Sequence, residues 1–241
     1  MSDLLDLVLE AHGGLERWRE VESIDLRLTM GGPFAAVKQQ PHGLPDVLVR
    51  VSAHTPRTRI SPFPYSGSRG IFQPGKAWIE NTQGDVTSQL EPPRDSFQGH
   101  ELLTPWSDLQ FLYFVGYAFR TYFTMPFVLI ENGVKVQEEA LHQENDESWR
   151  VLKVIFPPGM DVHCPVQKFY FDERGYLVRN DYFTEVSPGT AAHYIYDHKN
   201  FDGFIFPTHR RVVMREGDRA FVSRSSIFIL DIHDVFVNRG R

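Results

Sequence analysis

The sequence predicts a mainly β chain (α+β) in which a curved antiparallel sheet wraps an apolar pocket and helices cover it. Three observations carry that expectation. Most of the chain after residue 24 consists of short runs that alternate apolar and polar residues, the period of a half-buried strand. Clusters of Gly, Pro, Asn and Asp separate the runs at hairpin spacing. The 241 residues include 19 Phe and 9 Tyr, rings of the kind that line a cavity or fill a sheet interface. Barrels and sandwiches of this length commonly form one unit, so a single domain over residues 1–241 is expected.

The first segment places Leu4, Leu5, Val8, Leu15 and Trp18 at helical spacing. With Ser2 as N-cap it reads as a helix reset at Gly13 and Gly14. From Ile24 to Ile79 the alternation takes over, as in Ile24 to Leu28 and Val47 to Val51. Residues 83–103 are polar and carry Pro92 and Pro93, which reads as an irregular loop. Thr104 then offers an N-cap with Pro105 at the first helical position, opening an aromatic helix through about Tyr122. It contributes Trp106, Leu109, Tyr113, Gly116, Tyr117 and Phe119, which suit a plug or lid over the sheet. Beyond Pro126 strands are expected at 134–140, 149–156, 166–171, 176–186, 191–198, 204–214 and 221–237, an antiparallel meander with marked turns.

The formal net charge is −6 with the cations dispersed, which leaves no electrostatic footprint for a nucleic acid. The lone Cys164 allows no intrachain disulfide. The opening residues lack the basic and small-residue features of a signal peptide, and a cytoplasmic location is expected. Residues 111–130 approach membrane-spanning length, but Arg120, Gly116 and Pro126 interrupt them, so no integral span is expected.

Two short patterns carry the resemblance to a known family. The opening Ala11, His12, Gly13, Gly14 and Leu15, with Trp18 and Val21 to Ile24, resembles the start of bacterial proteins of the LolA/LolB-like, lipoprotein-localisation fold superfamily. The C-terminal Ile229 to Val235, the Phe201-Asp202-Gly203 turn and Pro207-Thr208 look like bacterial members of the same superfamily. The resemblance implies an incomplete antiparallel β-barrel lined by apolar residues and plugged by helices. Relatives carry lipoprotein acyl chains, and one, a violacein-pathway protein, is an enzyme without a cofactor. No lipobox cysteine stands near the N-terminus here, which shifts the expectation toward a hydrophobic small molecule.

Several chemical motifs fail on context. Gly70 to Lys76 has the glycine and lysine spacing of a phosphate loop, but Ala77 replaces the required hydroxyl and Trp78-Ile79 continue as strand. Cys164 beside His163 lacks a second ligand pair, so no metal site and no cofactor are expected. The C-terminal meander is more informative. A two-residue Asp202-Gly203 loop sets Tyr196 opposite His209 and Tyr194 opposite Arg211. Pairing Val186 with Ala191 adds Arg179, Asp181 and Phe183 to that face, and extending the count adds Phe169 and Phe171. If the face points inward, Asp181 is a candidate general base, with Tyr196 and His209 as donors to a developing oxyanion. Arg179, Arg211, Tyr194, Phe169, Phe171 and Phe183 would bind the substrate, joined by Tyr113 and Tyr117 from the helix. A one-residue slip would instead promote His193, Asp197 and Arg210. The expected function is binding of a hydrophobic small molecule, with cofactor-free cyclisation, isomerisation or elimination on it. The alternative is a non-catalytic lipid or fatty-acyl carrier.

Overall fold

The computed structural model describes residues 3–217, 219–221 and 226–240; the expected cap Ser2 lies outside them. Helix α1 (Asp3–Ala11) and the single turn α2 (Leu15–Trp18) are split at Gly13 and Gly14, as their spacing requires. Six strands follow: β1 (Val21–Gly31), β2 (Leu44–Ser52), β3 (Thr58–Ser61), β4 (Ser68–Gln73), β5 (Lys76–Asn81) and β6 (Val86–Leu90). A short helix α3 (Pro33–Val37), unmarked by any apolar period, interrupts the β1–β2 connection. Helix α4 (Asp108–Thr124) comes next. The second half holds β7 (Lys135–Glu144), β8 (Glu147–Ile155), β9 (Val166–Phe171), β10 (Leu177–Phe183), β11 (Thr190–Phe201), β12 (Phe204–Glu216), the stub β13 (Arg219–Ala220) and β14 (Phe228–Arg239).

Apart from β13, which pairs only β12, the described strands form one antiparallel sheet. Its order is β6-β5-β4-β3-β2-β1-β14-β12-β11-β10-β9-β8-β7. The strands on either side of α4 in sequence, β6 and β7, are thus the two edges of the sheet, and the curved barrel stays open between them. The last strand, β14, sews the halves together by pairing with β1 on one side and β12 on the other. Two wings result: β1 to β6, and β7 to β12. The chain leaves one edge, crosses the inner face as α4, and enters the opposite edge.

Helix α4 has apolar residues on all sides because it is buried on all sides, including Phe111, Tyr113, Phe119 and Phe123. Its N-cap is Ser107, not Thr104: the Ser107 hydroxyl accepts the Gln110 N–H, and the Gln110 side chain accepts the Ser107 N–H. This reciprocal box satisfies two backbone donors at once, which a Thr-Pro start would not do. The helix packs on β2 to β6 through two glycines. A Cβ on Gly116 would sit 2.4 Å from the Phe72 Cβ, and one on Gly70 2.5 Å from the Leu112 side chain. Close approach, not nucleotide binding, accounts for Gly70. The Thr58 hydroxyl adds a bond to the Gly116 carbonyl at 2.9 Å. No helix among the described residues is long and apolar enough to cross a membrane.

The region expected to be an irregular loop contains β6. That strand is polar (Val-Thr-Ser-Gln-Leu) because one side of it is an open, solvated edge, which erases the apolar alternation.

Candidate functional site

The inner face of the sheet, the one α4 covers, carries the main core. The firm contacts of α4 are with the first wing, and a cavity lies along its other flank, against the second. Helix α4 contributes Phe114, Val115, Ala118, Phe119 and Tyr122 to its wall; Tyr182 comes from β10, His193 from β11, and Arg210 and Val212 from β12. Phe228 and Leu230 of β14 and Met30 of β1 close the seam between the wings. The cavity measures about 30 Å³, room for about two water-sized groups.

The lining is apolar except at one end, where Tyr122, Tyr182, His193 and Arg210 meet. Tyr122 Oη lies 2.7 Å from His163 Nε2 and 3.3 Å from Tyr182 Oη. His163 stacks flat on the Tyr182 ring at 4.1 Å, and its Nδ1 is 3.2 Å from Tyr117 Oη. Burial lowers the His163 pKa to about 3, with the nearby Arg94 cation adding to the effect. The ring is therefore neutral, with one N–H and one bare nitrogen, so one flanking phenol donates to it and the other accepts. Burial also pushes Tyr122 up to about 12 and Tyr117 and Tyr182 well above the ordinary phenol value. The phenols and the His163 ring thus carry no charge at neutral pH.

Arg210 stands apart. It is 2% exposed, burial lowers its pKa to about 10, and no carboxylate pairs with it among the described residues. Its Nη2 donates to the Tyr122 carbonyl at 3.2 Å, while its Nε has no partner. His193, 1% exposed, has no partner at either ring nitrogen, and burial lowers its pKa well below the usual value, with Arg210 reinforcing the shift.

The residues expected to form the site are divided by the sheet. The β11–β12 register is as expected, with Tyr196 opposite His209 and Tyr194 opposite Arg211. On β10, Arg179 pairs Tyr194, a register four residues from the Val186–Ala191 pairing. An even shift preserves the face, so Arg179, Asp181 and Phe183 do join Tyr194, Tyr196, His209 and Arg211. That face is the outer one, turned away from α4. Phe169 and Phe171 are not part of it. A bulge sets Val178 and Arg179 together opposite Tyr170, so beyond it the phase inverts: Tyr170 faces outward, Phe169 and Phe171 inward to the core.

On the outer face Arg179 donates to both Asp181 oxygens, at 2.7 and 2.8 Å, and pairs Glu144; Tyr170 donates to Asp181 at 2.9 Å. Tyr194 donates to Glu144 at 2.7 Å. With Trp149, Val151 and Val213 this is a satisfied outer cluster. His209 Nδ1 lies 2.6 Å from Asp231, and Arg211 donates to Ser226 at 2.8 Å. Tyr196 and Phe183 are 40% and 42% exposed. Tyr113 and Tyr117 do lie on the inner side. Tyr113 donates to Asp161 at 2.5 Å and accepts from Arg94 at 2.9 Å, and Tyr117 bonds His163. Cys164 is structural: its thiol donates to the Val166 carbonyl at 3.1 Å and accepts the Phe183 N–H at 3.3 Å. Tyr122, His163 and Tyr182 carried no sequence signal as a group, since they come from three separate elements; His193 and Arg210 are the residues of the alternative face.

No family model and no curated relative matches the sequence. Solved structures do share the architecture. A DUF1329 family protein from Desulfovibrio piger ATCC 29098 superposes with a TM-score of 0.57 at 10% identity, over 99% of this chain and 93% of that one. A LolA superfamily protein from Nitrosomonas europaea gives 0.54 at 12% identity, over 97% and 93%. A candidate outer-membrane lipoprotein-sorting domain from Vibrio parahaemolyticus gives 0.53 at 10%, over 98% and 93%. At such identities the likeness speaks for the fold alone. With its open antiparallel sheet and crossing helix, the chain has the LolA/LolB-like fold.

Proposed function

We propose that the chain binds a hydrophobic, lipid-like small molecule between α4 and the second wing of the sheet and carries it without chemical change. The observation that supports this is the apolar cavity along the flank of α4, placed at the seam of the two wings. The fold points the same way, as does the lipoprotein-sorting description of the Vibrio domain. Asp181, Tyr196 and His209, on which an acid–base reaction would have rested, face away from this cavity, and the carrier reading is preferred for that reason.

Ligand sites of drug size measure about 300–1,000 Å³, so a cavity of about 30 Å³ has to expand to admit an acyl chain. The packing offers a route. Because α4 packs mainly on β2 to β6, expansion would carry helix and first wing together away from β11 and β12, breaking the Arg210 bond to the Tyr122 carbonyl and parting Tyr122 from Tyr182. Such hinge motion about a sheet seam separates apolar surfaces without breaking a ladder.

Native mass spectra of the protein from its own host, followed by solvent extraction, test the reading. A mixture of acyl chains is expected, and Ala118→Trp, which fills the cavity, is expected to lose it. A single tightly held metabolite would overturn the carrier. So would the absence of any ligand together with no uptake of the neutral probe N-phenylnaphthylamine.

A further inference from the structure

We propose that the polar end of the cavity is a carboxylate subsite, in which Arg210 and His193 receive the head of a fatty-acid-like amphiphile. The inference deepens the carrier reading and rests on it. Its starting point is an imbalance in the interior. Arg210 is a cation 2% exposed, with an unpartnered Nε and no carboxylate beside it among the described residues. The other buried arginines among the described residues have acidic partners: Arg179 has Asp181 and Glu144, and Arg120 has Glu131. A buried charge without a counter-charge is costly and is ordinarily paired or replaced by an apolar group. Here it is retained at the wall of a cavity.

The neighbours of Arg210 supply no anion. Its Cζ lies 5.2 Å from the centroid of the Tyr122 ring and 5.8 Å from that of Phe123, and these faces offer it only cation–π attraction. The phenols of Tyr122 and Tyr182 remain protonated. His193 stands edge-on to Tyr122, ring centroids 4.7 Å apart, with two orphan nitrogens. A neutral imidazole offers one N–H. The cavity end thus presents unused donors from a guanidinium and an imidazole, both on the inner face, from the adjacent strands β11 and β12. The free Arg210 Nε can make a charge-assisted hydrogen bond to one carboxylate oxygen. A carboxylate gives one oxygen to Arg210 and the other to His193, and the small cavity suits a head of that size. Phe114, Ala118 and Leu230 then receive the first methylenes of the tail.

Displacement of N-phenylnaphthylamine from the full chain by palmitate, hexadecanol and hexadecyl phosphate tests the proposal. In the wild type, palmitate is expected to bind at least about tenfold more tightly than hexadecanol, the margin of a charge-assisted pair. In Arg210→Met that ratio falls to about one, with hexadecanol binding retained. The wild-type comparison requires no variant to fold. Equal affinity for palmitate and hexadecanol overturns the subsite and leaves the carrier standing. A clear preference for hexadecyl phosphate over palmitate overturns the carboxylate class. If none of the three displaces the probe, both the subsite and the carrier fall.

Discussion

Among the described residues, three histidines are buried as neutral rings, and they contribute to how the molecule responds to acid. Burial lowers His12 to about 4 and His163 to about 3, and takes His193 well below the ordinary value near 6.5. In each case the folded pKa lies below the unfolded one. As pH falls through 6.5 the unfolded chain takes up protons that the folded chain refuses, and stability falls with it. The loss continues to about pH 4 for His12 and about pH 3 for His163, and above pH 6.5 these groups contribute nothing. Each can contribute a slope of about 1.4 kcal/mol per pH unit within its window. Urea midpoints are therefore expected to decline from about pH 6.5 downward, ahead of the titration of ordinary carboxylates. His193→Leu, which removes an imidazole with no hydrogen bond to lose, should flatten the decline by one histidine's share. Midpoints that hold level down to pH 5 would show that the rings are not held neutral.

Elements differ in how openly the sequence declares them, and the reason is local chemistry. The β11–β12 hairpin was legible to the residue because Asp202 and Gly203 both take positive φ, at 53° and 87°, and so fix the two-residue turn and its register. The break between α1 and α2 at Gly13-Gly14 was legible for a similar reason. The bulge at Val178 and Arg179 has no such marker, since neither residue is a glycine and both fit a strand. One unmarked extra residue was enough to put Phe169 and Phe171 on the wrong face, while a four-residue error at the next turn did no harm because it was even. Whether the face bearing Asp181 or the one bearing Arg210 lines the interior was not written in the alternation. Both faces carry rings and charges, because the outer one holds its own cluster.

The seat of α4 gives a prediction at the same scale. At Gly116 a new Cβ meets the Phe72 Cβ and ring at 2.4 to 3.2 Å, anchored next to the backbone; at Gly70 it meets Leu112 Cδ1 and Cδ2 and Phe63 Cδ1 at 2.5 to 3.0 Å, atoms farther out along their side chains. Gly116→Ala is thus expected to cost about 1–3 kcal/mol of overpacking, offset by roughly 1 kcal/mol of helix propensity. A bulkier Gly116→Val, with poorer propensity as well, should be the most damaging of the three. Gly70→Ala should be the mildest. Urea unfolding of the three variants checks the order. A Gly116→Val variant as stable as the parent would mean that α4 is not seated on Phe72 as described.

At the scale of the whole molecule, an open sheet has to leave two strands half-paired, and the two edges are protected in different ways. On β6 the polar side chains Thr87, Ser88 and Gln89 keep the rim wet. On β7 the protection is ionic. Glu138 pairs Arg150 and Glu139 pairs Lys168, so the strand is held to its inner neighbours and presents charge to any strand approaching from outside. Exposed Leu141 shows that β7 would otherwise offer an apolar rim. Charged residues at an edge oppose strand addition from another chain. Replacing Gln137 and Glu139 together by Val removes a polar residue and a charge from that rim and raises strand propensity. The double variant is expected to associate at about 100 µM, a range in which exposed edges aggregate, under conditions where the parent does not. Light scattering on a sizing column measures this. If the variant elutes as the parent does, β7 is shielded by something other than its charges, and the gap between β6 and β7 is closed to strands by shape alone.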